Sequence, residues 1–132
     1  MTLAAGGSVG GMAVGRAAAM EMRVRTEEVG EGVHVVSVTG EVDLYAAPEL
    51  LKTLRQLAES SAQQLVVDVS ATSFIDSTGL GILIAATKVL RLQGGELHIV
   101  GTHGLTDRAV RAAGLHTFFA LSPSVEDALG KI

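Results

Sequence analysis

The densest group of residues able to do chemistry is Asp76-Ser77-Thr78, a carboxylate followed by two hydroxyls, set between Phe74-Ile75 and Gly79-Leu80-Gly81. An apolar strand, Leu65 to Val69, and a short polar loop precede the triplet, and the apolar stretch after it predicts a helix over Thr78–Leu92. The triplet is therefore delivered to a helix start, where backbone N–H groups lack partners and the helix dipole is positive, a setting that suits an added anion. Ser77 is either a phosphorylation switch or an N-cap whose hydroxyl satisfies one of those N–H groups. Asp43 likewise ends a strand and precedes a helix. Loops of this kind gather at one edge of an α/β sheet, so Asp43, Asp76 and Ser77 are expected to converge. Two carboxylates there could orient the serine hydroxyl or help accept its proton during phosphoryl transfer, or serve only as solvated turn residues.

Other chemistries find little support. His34, His98, His103 and His116 lack ligand spacing, and no cysteine is present, so neither a metal site nor thiol chemistry is expected. Ser77 lacks the G-x-S-x-G flanks of a hydrolase nucleophile, and no base is placed beside it. Gly79-Leu80-Gly81 has no following Lys and is no phosphate-binding loop. No cofactor is expected. A net charge of −4 without a basic cluster argues against nucleic acid, and the longest apolar stretch, Leu80 to Ala86, is too short to span a bilayer.

The elements that must position these residues follow from length and periodicity. The 132 residues make one domain, with 48% hydrophobic and 18% charged residues. Aromatics are only 3%, so the core must be Leu, Val, Ile and Ala. Residues 1–20 are Gly- and Ala-rich and are expected to form a flexible N-terminal tail, leaving 21–132 as the folded domain. Strands are expected over Glu21–Glu28 and Val33–Thr39, the second broken by Gly40. A helix follows with Ala47, Leu50, Leu51, Leu54 and Leu57 at spacings of three and four. After the central strand and helix, Gly94-Gly95 leads into a strand over Leu97–Val100, and a short helix spans Leu105–Ala113. His116–Ala120 is expected as an edge strand, and Ser122-Pro123 as the cap of a last helix. Strands alternating with helices after an opening hairpin predict an α/β fold: a small mixed, mainly parallel β-sheet flanked by helices.

On a helical wheel of about 100° per residue, Gly79, Leu83, Ala86 and Leu90 share the face that would press on the sheet. Gly81, Ile84, Lys88 and Arg91 fall on roughly the opposite side. Ile84 and Leu80 would then be apolar residues near solvent beside Ser77, forming a docking face, unless the helix is buried nearly all round.

Thr39-Gly40-Glu41-Val42-Asp43, Val66–Val69, Phe74-Ile75-Asp76-Ser77-Thr78-Gly79-Leu80-Gly81, Gly94-Gly95-Glu96-Leu97 and Ala113-Gly114-Leu115 together resemble the STAS-domain anti-sigma factor antagonists of bacteria. The resemblance covers about residues 22–130 and implies a STAS-like fold. It also implies that Ser77 is the residue phosphorylated by a partner, an anti-sigma factor with serine kinase activity. The unmodified antagonist would bind that partner and free a sigma factor; the phosphorylated form would be released, and a phosphatase would reset it. Asp43, Asp76 and Thr78 would form the phosphosite environment. Leu80, Gly81, Ile84, Lys88 and Arg91 are the partner-binding residues expected from the wheel. The implied protein is a cytoplasmic binding module and not an enzyme. A STAS scaffold subunit of a larger signalling assembly and a serine-nucleophile enzyme are the alternatives.

Overall fold

The computed structural model describes residues 21–132. The run Leu65–Val69 is apolar on both sides because it lies in the middle of a sheet, where Leu65, Val66 and Val67 are fully buried. The elements in chain order are β1 (Arg23–Gly30), β2 (Val33–Val42), α1 (Ala47–Ser60), β3 (Gln64–Ile75), α2 (Ser77–Leu92), β4 (Glu96–Val100), α3 (Gly104–Ala112), a single 3-10 turn (Leu115–Thr117), β5 (Ala120–Ser122) and α4 (Val125–Leu129). The spatial strand order follows the chain order, β1-β2-β3-β4-β5. β1 and β2 form an antiparallel hairpin; the later pairs are parallel.

Three successive crossovers step in one direction, so their shared right-handedness places α1, α2 and α3 on one face. Val36, Val38, Leu65, Val67, Leu97 and Ile99 point to that face and pack with Leu50 and Leu54 of α1, Leu83 and Leu90 of α2 and Val110 of α3. The alternate residues Val35, Val66 and Val100 face the other way, against Ala128 of α4. The fold is the expected mixed, mainly parallel sheet with flanking helices.

Two expected boundaries were too early. Gly40 does not end β2: it takes a positive φ of 86° at an irregularity in the ladder and still pairs with Thr72, and the strand runs on to Val42. β3 does not stop at Val69 but continues through the polar Ser70–Ser73 to Ile75, held by β2 alone. Within that stretch Thr72 is buried and its hydroxyl donates to the Val38 carbonyl at 2.8 Å. β4 follows β3 only as far as Asp68 and β1 follows β2 only as far as Thr39, so the ends of β2 and β3 reach beyond β4 as a ribbon, roughly 16 Å along Val38–Val42 at about 3.3 Å per residue.

Nearer the C-terminus, the expected strand over His116–Ala120 is instead the 3-10 turn followed by the short β5. Gly114, at φ 74°, turns the chain, and Phe119 is buried before pairing begins. The last helix is capped by Ser124, which accepts from the Asp127 N–H, and not by Ser122-Pro123. The expected tail, residues 1–20, lies outside the described residues.

Candidate functional site

The paired ends of β2 and β3 fix the site. Val42 faces Ile75 in the parallel ladder, and the Asp76 N–H donates to the Val42 carbonyl at 3.1 Å. Asp43 and Asp76 therefore leave adjacent strands side by side, as the sequence led us to expect. Each carboxylate binds its own turn. Asp43 Oδ1 accepts from the N–H groups of Tyr45 at 3.1 Å and Ala46 at 2.9 Å, holding the approach to α1. Asp76 is the N-cap of α2, its Oδ1 accepting from the Gly79 N–H at 3.0 Å.

This assignment gives the cap of α2 to Asp76. With Asp76 as cap, Ser77 is the first helical residue, exposed, and its hydroxyl makes no hydrogen bond among the described residues. Thr78 is exposed beside it. The Leu80 N–H reaches the Asp76 carbonyl at 3.0 Å, while the N–H groups of Ser77 and Thr78 have no acceptor among the described residues. The hydroxyl thus stands at the positive end of a 16-residue helix with two unused donors nearby.

Close packing sets the helix start. Gly79 is buried, and a Cβ there would lie 2.7 Å from Ile75 Cγ2 and 2.9 Å from Val42 Cγ1. Only a bare backbone lets α2 settle onto the strand ends and hold Ser77 at the rim. Among the described residues no side chain is hydrogen-bonded to the serine hydroxyl. His98 pairs through Nε2 with Gln64 Oε1 at 2.9 Å, and burial lowers its pKa against the opposing pull of Glu96. Asp107, whose pKa is lowered by its hydrogen bonds from Arg111 and Thr102, belongs to α3. Among the described residues no group of three His, Asp or Glu side chains is set to hold a metal, and no helix is long and apolar enough to cross a membrane.

The face expected on the outer side of α2 is placed differently. Gly81 is exposed, with open space beside it, and Lys88 is exposed. Leu80 and Ile84 are half-buried and pack against the main core, because α2 is wrapped on more than its sheet-facing side. Arg91 is already engaged within the molecule: it pairs with Glu96 at 3.0 Å, donates to the Phe118 carbonyl and lies 4.7 Å over the Phe118 ring. The large apolar side chains that are exposed beside the two aspartates in the chain are others. Leu44 is 60%, Tyr45 84% and Phe74 40% exposed, Leu44 and Tyr45 following Asp43 and Phe74 two residues before Asp76. Their signal in the sequence was compositional: the chain has one Tyr and three Phe, and two of these four flank the two carboxylates.

Comparison with known proteins places this architecture. The STAS-domain profile matches residues 25–128. The chain belongs to the STAS-domain family. The anti-sigma-B factor antagonist of Staphylococcus aureus is 31% identical to this STAS domain over 91 residues, covering 69% of this chain and 84% of that protein. The crystal structure of an anti-sigma factor antagonist from Mycobacterium paratuberculosis superposes with a TM-score of 0.78 at 34% identity, over 85% of this chain and 94% of that one. Bacillus SpoIIAA shares the fold in its unphosphorylated and phosphorylated forms, with TM-scores of 0.73 and 0.68 at 18% and 17% identity. Each comparison covers 83% of this chain, and 95% and 98% of SpoIIAA.

Proposed function

We propose that this STAS domain is an anti-sigma factor antagonist whose binding is switched by phosphorylation of Ser77. The names of its relatives support the antagonist role. The observation that carries the switch is the exposed Ser77 at the first position of α2, with an unengaged hydroxyl beside a cap already supplied by Asp76. With no described side chain hydrogen-bonded to its hydroxyl, the serine suits a role as acceptor, the chemistry of transfer being supplied by the partner. That partner is an anti-sigma factor with serine kinase activity, met in the cytoplasm by the unmodified chain, which thereby frees a sigma factor. A phosphatase reverses the modification.

The expected consequence of transfer is electrostatic. Phosphate adds about 1.5 to 2 negative charges next to the Asp43 and Asp76 carboxylates. No Lys, Arg or His lies between Gly40 and Leu51 or between Gln64 and Thr87 to offset it. Just after transfer the new phosphate also faces the nucleoside diphosphate that donated it, so two anions meet in a closing interface and the complex separates. Incubation with the cognate anti-sigma factor and ATP, followed by mass spectrometric mapping, tests the assignment. One phosphate on Ser77 is expected; phosphate on Thr78 or elsewhere with Ser77 unmodified would refute it.

A further inference from the structure

We infer that Leu44, Tyr45 and Phe74 form the apolar anchor by which the protein grips its anti-sigma factor, seated in an apolar socket rimmed by basic side chains. The inference rests on the functional reading above and adds the surface and the chemistry that would recognise it. Tyr45, at 84%, and Leu44, at 60%, are among the most exposed large apolar residues described. The backbone that carries them is tied down at both ends of the loop. Asp43 Oδ1 holds the Tyr45 and Ala46 N–H groups, and the Asp43 carbonyl accepts from the Ala47 N–H at 2.9 Å. Phe74 pairs with Glu41 in the ribbon that reaches past β4. A fixed loop presenting an amphipathic ring loses little conformational freedom on binding, the property that makes Tyr common among interface anchors.

Charge specifies the rim of the socket. The residues that flank the patch, Gly40–Glu49 and Phe74–Thr78, carry Glu41, Asp43, Glu49 and Asp76 and no cationic side chain. An acidic surface with apolar centres is complemented by an apolar pocket with Lys or Arg around it. Val42 pairs with Ile75 and the Asp76 N–H donates to the Val42 carbonyl, so the loop that carries Leu44 and Tyr45 and the helix start that carries Ser77 leave the same edge of the sheet. The outer face of α2 is a poorer anchor, because Leu80 and Ile84 already pack on the core.

The experiment places a photo-crosslinking phenylalanine analogue at position 45, and separately at position 78, in the full chain within cells of the source organism. At both positions an adduct with an anti-sigma factor, identified by mass spectrometry as a serine kinase of that class, is expected. An adduct from position 78 alone, or a position-45 adduct with a second copy of the chain or another protein, would overturn the docking patch and leave the Ser77 reading standing. No anti-sigma adduct from either position would overturn both. With the trapped factor purified, Tyr45→Ser and Phe74→Ser should each weaken binding at least tenfold with an unchanged melting temperature, and wild-type affinity should fall as salt is raised. Wild-type affinity in both variants would overturn the apolar anchor, and a salt-independent affinity would overturn the basic rim.

Discussion

The turn after β2 and the turn after β3 leave neighbouring strands side by side, each led by an aspartate, yet they hold their helices differently. Asp43 spends its carboxylate on the loop itself, binding the N–H groups of Tyr45 and Ala46, and α1 starts only at Ala47. Asp76 caps its helix directly, and α2 begins with the next residue. The first arrangement lifts Leu44 and Tyr45 into solvent; the second fixes Ser77 at the helix start with its hydroxyl free. One turn exposes apolar surface and the other a free hydroxyl. The sharper turn is possible because Gly79 lets α2 rest on Ile75 and Val42.

The largest effect should come from removing that permission. Gly79→Val puts carbon where Ile75 and Val42 already stand and should destabilise the fold by about 3 kcal/mol, as overpacking does. Gly81→Ala, two residues on and with open space beside it, should instead stabilise by up to about 1 kcal/mol through helix propensity. Urea denaturation of the two variants checks both signs; equal effects would mean that the start of α2 is not seated as described.

Next in size is Ile84→Glu. Its half-buried packing against the core implies a stability loss of about 2 kcal/mol, since a carboxylate would replace an apolar contact. A variant as stable as wild type in the same denaturation assay would return Ile84 to solvent and restore the outer face of α2 as a docking surface.

Smaller effects separate the cap from the switch. Asp76→Ala should cost about 1 kcal/mol, the usual penalty for a lost N-cap. Ser77→Ala should change stability by less than about 0.5 kcal/mol, as expected for an exposed residue without partners. Thermal melts of the pair decide it, and the reverse order would make Ser77 the working cap.

Much of this arrangement was legible in the residues. The wheel placed Gly79, Leu83, Ala86 and Leu90 against the sheet, and all four are buried. The strand–helix alternation led to the right sheet, and the two aspartates to one edge. The failures share a cause: local pattern does not report what lies alongside. Ser70–Ser73 looked like a loop because only β2 supports that part of β3, leaving polar side chains acceptable in a strand. Ile84 looked exposed because a wheel knows one buried face, whereas α2 is covered on more than one side. Asp76 and Ser77 are both good caps by residue type, and one step in helix phase decides between them. Leu44 and Tyr45 escaped notice because apolar residues in a short loop carry no period.

The most direct test of the central claim is the affinity of the anti-sigma factor for the chain before and after Ser77 alone is phosphorylated, measured by titration calorimetry. The account predicts binding at least tenfold weaker after phosphorylation, a difference of about 1.4 kcal/mol or more, with the fold unchanged by circular dichroism. Equal affinities for the two forms would contradict it.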